Sequence, residues 1–124
     1  MPSLPSKRIL VVDDEPLIAQ AIKMMLSYDG HQVETALSGE EGLSKFDPKL
    51  CDVVFTDFSM PGMKGDQLAA AIKARSPNTP VIMLTAFAPP QKPCSVDLIL
   101  SKPFLLQSLR DALIQAFPAE GTRE

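Results

Sequence analysis

Two hydrophobic periodicities alternate along the chain. Short apolar runs typical of buried strands occur at residues 7–12, 31–36, 52–56, 80–84 and 98–100. Segments with helical spacing or a helix-capping sequence lie between and after them, at residues 16–28, 38–46, 67–75 and 104–117. This repeated strand–helix order predicts an α/β domain with a parallel sheet.

The connection between the fourth and fifth predicted strands departs from this pattern. It spans residues 86–96 and contains Pro89, Pro90 and Pro93. Proline in a helix interior costs about 3 kcal/mol or more. We therefore expect residues 87–95 to be mobile and to lack a regular helix, although the repeat would place one there.

Composition and charge describe one globular domain, which we assign to residues 7–117 with short tails at 1–6 and 118–124. We expect a stand-alone module, because the chain ends soon after the last helix. The hydrophobic content of 45% favours a folded core, and the net charge of −3 gives no support to nucleic-acid binding. No apolar run approaches the roughly 18 residues of a membrane span, and the N-terminus has no secretory signal. Cys51 and Cys94 lack metal-ligand spacing, so we expect free thiols in a reducing cytoplasm.

Charged and polar residues stand where the predicted strands end. Asp13 and Asp14 follow the first strand, Asp57 the third, Thr85 the fourth and Lys102 the fifth. The carboxyl ends of parallel strands meet at one edge of an open sheet, where ligands bind. We therefore expect these side chains to form one site.

An acidic cluster of this kind needs a compensating charge or proton. Two carboxylates about 4 Å apart repel by roughly 4 kcal/mol at an effective dielectric constant of 20. Either one carboxyl group stays protonated, or a cation lies between them. A ligand set made of oxygen alone suits Mg²⁺. A carboxylate can also be the nucleophile that forms an aspartyl phosphate, with Lys102 and Thr85 contacting the phosphoryl oxygens.

Simpler interpretations exist for each residue taken alone. An acidic pair after a strand is often a helix N-cap, and a single histidine such as His31 is usually a surface residue. A phosphatase with an aspartate nucleophile would need a second acid two residues after Asp57, where Ser59 stands. No phosphate-binding loop or dinucleotide motif is present.

The set of motifs resembles the receiver domain of two-component response regulators. The resemblance covers residues 7–117 and rests on Val11-Val12-Asp13-Asp14-Glu15, Thr56-Asp57, Met60-Pro61-Gly62-Met63, Thr85-Ala86 and Lys102-Pro103-Phe104. It implies a flavodoxin-like, doubly wound sheet of five parallel strands in the order 2-1-3-4-5. It also implies a signalling domain that catalyses only its own phosphotransfer and dephosphorylation.

The resemblance implies a role for each motif residue. Asp57 would accept a phosphoryl group from a histidine kinase or a histidine phosphotransfer protein. Mg²⁺ would be bound directly by Asp14, Asp57 and the Ser59 backbone carbonyl, and through water by Asp13. Lys102 would contact the phosphoryl group, and Thr85 with the Ala86 N–H would close on it. The peptide bond between Lys102 and Pro103 would be cis.

Three positions depart from the family pattern. Ile99 stands at the switch position, which is usually aromatic, and an isoleucine has no ring to swing inward. The family's fourth helix is expected to be lost or collapsed into the proline-rich loop. Lys64 replaces an aspartate that often precedes Gly65. The sequence thus predicts a phosphoacceptor receiver module with an unusual output. The alternative is a receiver-like interaction domain that signals without phosphorylation.

Overall fold

The computed structural model describes residues 5–86, 92–93, 95–102 and 105–117. Over these residues the chain forms five strands and four helices. The strands are β1 (Arg8–Val12), β2 (Gln32–Ala36), β3 (Val53–Asp57), β4 (Val81–Thr85) and β5 (Leu98–Ser101). The helices are α1 (Pro16–Tyr28), α2 (Gly39–Lys45), α3 (Gly65–Arg75) and α4 (Leu106–Ala116).

All five strands pair in parallel in the order β2-β1-β3-β4-β5, which confirms the predicted topology. The register places Val12 opposite Thr56, and Asp57 opposite Leu84. Every residue of β3 and β4 is buried, because helices cover both faces of the sheet.

Alternate strand residues enter two separate cores, as the period of two requires. One core packs α2 and α3 on the sheet and includes Leu10, Val12, Val54, Leu68, Ile72 and Met83. The other packs α1 and α4 on the opposite face and includes Ile9, Val11, Ile22, Phe55, Leu84 and Leu109. The sheet therefore lies between two helical layers, with its carboxyl edge open to solvent.

Local sequence explains several helix ends. Pro16 occupies the first turn of α1, and Gly30, at φ 90°, follows its end. The Ser38 hydroxyl accepts the Glu41 N–H at 3.0 Å and caps α2. Lys64 offers no side-chain acceptor at the start of α3, but its own N–H donates to Gln67 Oε1 at 2.9 Å.

Two contacts between residues distant in sequence lie just after the end of α1. Arg110 of α4 donates to both carboxylate oxygens of Asp29 at 2.7 and 2.8 Å. Our expectation of a surface position for His31 is wrong, because this residue is only 9% exposed. Its Nδ1 accepts the Lys7 N–H at 3.0 Å, which satisfies the buried ring nitrogen.

Several predictions fall partly or wholly on residues 1–4, 87–91, 94, 103–104 and 118–124, which lie outside the described residues. No described residue between Thr85 and Leu98 is helical, in agreement with the predicted loss of a helix there. The predicted cis peptide involves Pro103, and the predicted free thiol of Cys94 and most of both tails are likewise outside. Among the described helices, none combines the length and apolar character that a membrane crossing requires.

Candidate functional site

The carboxyl edge of the sheet holds the polar residues that the sequence places at strand ends. Asp13 directly follows β1, Asp57 and Thr85 are the last residues of β3 and β4, and Lys102 directly follows β5. A cleft of about 380 Å³ opens at this edge. Its lining residues are Asp14, Glu15, Asp57, Phe58, Ser59, Thr85, Ala86 and Lys102.

Asp13, Asp14 and Asp57 form a compact carboxylate cluster. One oxygen from each lies within 4.8 Å of the others. Asp13 is fully buried and Asp57 is 6% exposed, whereas Asp14 is half-buried. The cluster is thus anchored in the sheet on one side and reachable from the cleft on the other.

Lys102 bridges two members of this cluster. Its Nζ lies 3.2 Å from Asp57 Oδ1 and 3.4 Å from Asp13 Oδ2. The other oxygen of Asp13 accepts the Glu15 N–H at 2.9 Å, which fixes the orientation of that carboxylate. One ammonium facing three carboxylates leaves an excess of negative charge for a cation to offset.

The pKa values reflect this imbalance. Burial raises the pKa of the Asp57 carboxyl group, and the charges of Asp13 and Asp14 raise it further, while Lys102 offsets only part of the effect. Burial opposes the charge on Lys102, but the carboxylates of Asp13 and Asp57 outweigh it and raise the pKa of the lysine. Lys102 therefore stays charged, and a cation bound at the cluster would favour the ionised form of Asp57.

The donor set fits Mg²⁺ on chemical grounds. The clustered side-chain oxygens are hard ligands, and Asp14 and the exposed Ser59 leave the cluster open toward the cleft. Mg²⁺ prefers such oxygen ligands and retains several waters.

Close packing of the start of α3 against the end of β3 sets the backbone position of Asp57 at the sheet edge. The Gly65 N–H donates to the Phe58 carbonyl at 3.0 Å. A Cβ at Gly65 would collide with the Asp57 carbonyl oxygen and lie 2.9 Å from Phe58 Cα. Only glycine permits the start of α3 to approach β3 this closely.

Most of the predicted site residues meet at this edge. Thr85, 4% exposed, and the exposed Ala86 line the cleft beside Asp57. Ile99, the predicted switch residue, does not line the cleft: it pairs in register with Met83 and packs on the core beneath α3. Glu15 was named above only as part of a motif and was given no role of its own. Its N–H holds Asp13, and its position next to the acidic pair was the available signal.

The comparisons with known proteins agree with this geometry. A model of the response regulator receiver domain matches residues 9–114. GlrR, a transcriptional regulatory protein of Escherichia coli, is 37% identical, with 93% of this chain and 28% of its own length covered. The chain spans less than a third of GlrR and between about a third and about half of other curated relatives.

Solved structures show the same fold. Chemotaxis protein CheY4 of Vibrio cholerae is 32% identical with a TM-score of 0.83, over 90% of this chain and 99% of that one. TrrA, a Thermotoga maritima response regulator solved in complex with Mg²⁺-BeF, is 35% identical with a TM-score of 0.81. That match covers 89% of this chain and 98% of TrrA.

The chain belongs to the response regulator receiver domain family of two-component systems. Asp13, Asp14 and Asp57 form the acidic cluster typical of the phosphorylation and Mg²⁺ site of that family.

Proposed function

We propose that this domain accepts a phosphoryl group on Asp57 and signals through the change that follows. The observation that carries the proposal is the position of the Asp57 carboxylate. It stands at the end of β3, in an open cleft, between two further carboxylates and the Lys102 ammonium. A carboxylate with a neighbouring cation and a site for Mg²⁺ is equipped to act as a nucleophile toward phosphorus.

A phosphohistidine can donate the phosphoryl group to Asp57. An Asp57 carboxylate oxygen forms the new O–P bond, and the N–P bond of the donor breaks. The leaving imidazole nitrogen keeps the electron pair of that bond and takes up a proton. The donor is therefore a histidine kinase or a histidine phosphotransfer protein. Such a donor meets the domain in the cytoplasm.

Asp14, Asp57 and the Ser59 backbone carbonyl are the proposed direct ligands of Mg²⁺, with Asp13 holding it through water. When bound, the ion neutralises charge on the carboxylates and on the transferring phosphoryl oxygens. Asp13 also holds Lys102 through the contact between its Oδ2 and Nζ, and so orients the ammonium toward Asp57.

Lys102, Thr85 and Ala86 are the proposed partners of the phosphoryl group once it is on Asp57. Lys102 already lies 3.2 Å from the acceptor carboxylate. Thr85 and Ala86 line the same cleft, and a threonine hydroxyl and a backbone N–H are groups that can donate to phosphoryl oxygens. Hydrolysis of the acyl phosphate at this site returns the domain to its starting state. Ile99 lies on β5, the strand next to β4, which ends in Thr85. We propose that the change caused by phosphorylation reaches the surface of β5 at Ile99.

The output of the domain is also a matter of proposal. GlrR is a transcriptional regulatory protein more than three times as long as the matched region. The chain carries a net charge of −3, so we do not expect the receiver domain to contact nucleic acid itself. Its output partner is a protein surface, in the same chain or another.

Labelling with acetyl phosphate and Mg²⁺ tests the proposal. Wild-type protein should gain one alkali-labile, hydroxylamine-sensitive phosphoryl group, and Asp57→Asn should gain none. Asp47→Asn, which changes an aspartate outside the cleft, is the matched control and should label like wild type. Labelling of Asp57→Asn would overturn the assignment. A wild-type protein that binds Mg²⁺ without labelling would instead be a receiver-like interaction domain.

A further inference from the structure

The first turn of α2 is attached to the β3–α3 loop, which we define as residues 58–64. Glu40 Oε2 accepts the Met63 N–H at 3.1 Å, although 23 residues separate the two. The same oxygen lies against Gly62, where a Cβ would approach it to 2.7 Å. Gly62 has φ +73°, so glycine is favoured there for its backbone conformation as well.

Gly39, the residue before Glu40, packs closely against Met63. A Cβ at Gly39 would lie 2.8 Å from both Met63 Cβ and the Met63 carbonyl oxygen. Gly39 is buried at the start of α2, so a larger side chain has no room unless the loop moves. Two neighbouring residues of α2 thus hold Met63, one by a hydrogen bond and one by close packing.

The rest of the loop is fixed at points on either side of Ser59. The Met60 side chain is 2% exposed and belongs to the core beneath α2 and α3. The Lys64 ammonium donates to the Met60 carbonyl at 3.2 Å. Phe58 accepts the Gly65 N–H. Ser59 itself is exposed beside the cleft, so its carbonyl position depends on these neighbouring attachments.

We propose that Glu40 is a positioning residue for the metal site. Its carboxylate holds Met63, and through the loop it holds the Ser59 carbonyl beside Asp14 and Asp57. Glu40 touches neither the metal nor the phosphoryl group. This inference rests on the proposed role of Ser59 as a ligand. It also couples α2 to the site in both directions, because energetic coupling between two sites is reciprocal.

Glu41 provides a matched control on the same helical turn. Its carboxylate accepts the Leu37 N–H at 2.9 Å and pairs with Lys45 at 3.0 Å. Both of these contacts stay within α2 and the residues that lead into it. Glu41→Ala therefore removes an equal charge from the start of α2, with the same loss of macrodipole stabilisation, but leaves the loop contact intact.

Mg²⁺ affinity of the unphosphorylated protein, measured by calorimetry, tests the proposal. Glu40→Ala should weaken Mg²⁺ binding about three- to tenfold, the range expected for one net hydrogen bond. Glu40→Gln keeps a side-chain acceptor of the same length and should restore most of the affinity. Glu41→Ala should bind Mg²⁺ like wild type.

Gly39→Ala is the second variant, because it leaves Glu40 unchanged but places a methyl group against Met63. It should weaken Mg²⁺ binding in the same direction. The Met63 amide resonance should shift in Glu40→Ala and Gly39→Ala but not in Glu41→Ala. Circular dichroism establishes that each variant is folded.

The outcomes separate this inference from the proposed function. If wild type binds no Mg²⁺, the metal site itself fails and the inference fails with it. If wild type binds Mg²⁺ and Glu40→Ala binds equally well, only the inference is overturned. Equal weakening by Glu40→Ala and Glu41→Ala would also overturn it, because the effect would then come from α2 stability.

Discussion

The Lys102 ammonium lies 3.2 Å from Asp57 Oδ1, although 45 residues separate the two in the chain. Parallel pairing of β3, β4 and β5 brings them together, because it aligns the carboxyl ends of these strands. The pair cannot neutralise the site, since Asp13 and Asp14 add two further carboxylates. The contact therefore offsets part of the negative charge of the cluster and leaves an excess that a bound cation would offset.

Mg²⁺ should stabilise the unphosphorylated protein. Binding to the native state alone adds RT ln(1 + [Mg²⁺]/Kd), about 1.4 kcal/mol at ten times Kd. We expect a rise of several degrees in the melting temperature with millimolar Mg²⁺. Asp14→Ala should remove the rise and Asp47→Ala should retain it. An unchanged melting temperature in wild type would contradict the metal site.

Lys102→Met should destabilise the protein in the absence of Mg²⁺. Asp13 and Asp57 would then face each other without their bridging cation, at a cost of about 1–3 kcal/mol. Mg²⁺ should stabilise this variant more than wild type, since the ion replaces the lost positive charge. Urea unfolding with and without Mg²⁺ measures both effects. Lys49→Met, at an exposed position outside the site, is the control. Equal Mg²⁺ effects in Lys102→Met and wild type would refute the charge argument.

Gly65→Ala should disturb both stability and phosphorylation. A Cβ at Gly65 collides with the Asp57 carbonyl oxygen, and overpacking of this kind costs about 1–3 kcal/mol. Labelling by acetyl phosphate should slow because the acceptor backbone shifts. Gly30→Ala is the control. Gly30 has φ +90° and no atom lies near an added Cβ, so this substitution should cost about 1–2 kcal/mol of stability without altering labelling. Normal labelling of Gly65→Ala would show that the close approach does not set the position of Asp57.

Folding stability should fall as the pH drops below the ordinary His31 pKa. Burial lowers the pKa of His31, against the opposing charge of Asp29 and with the help of Lys7. Because the pKa of His31 is lower in the folded protein than in the unfolded chain, the contribution of neutral His31 to folding stability is fully present above pH 6.5. It is lost as the pH falls from there through the folded pKa.

His31→Gln removes this titration and should flatten the stability profile between pH 8 and pH 5, measured by urea unfolding. His31 is the one histidine of the sequence, so its ring resonances give the folded pKa directly. A measured pKa at or above the unfolded value would reverse the sign of the prediction.

Activation with beryllofluoride and Mg²⁺ should change amide exchange at the end of β4 and along β5. Thr85 and Ala86 line the cleft, and Ile99 is a half-buried residue on the neighbouring strand, β5. The control region is α1, which packs on the other face of the sheet. If a partner responds to activation while exchange at 85–86 and 95–102 is unchanged, the switch lies elsewhere.

The amino-acid sequence by itself determined the order of elements and the candidate residues. Apolar spacing reports which face of a strand or helix is buried, so the strands and helices fell within a few residues of their observed bounds. Polar residues end or follow these strands, and their positions in the sequence predicted that Asp13, Asp57 and Lys102 meet at one edge of the sheet. The strand order came from the family resemblance, because periodicity is blind to which strands are neighbours.

Tertiary structure decided the contacts between residues distant in the chain. His31 is buried because its ring nitrogen meets the Lys7 N–H, and no local pattern marks that partner. Arg110 meets Asp29 across 81 residues, and Glu40 meets Met63 across 23. Hydrogen bonds of this kind form only where packing brings two segments within about 3 Å. The attachment of α2 to the loop beside Asp57 therefore became visible only in the folded chain.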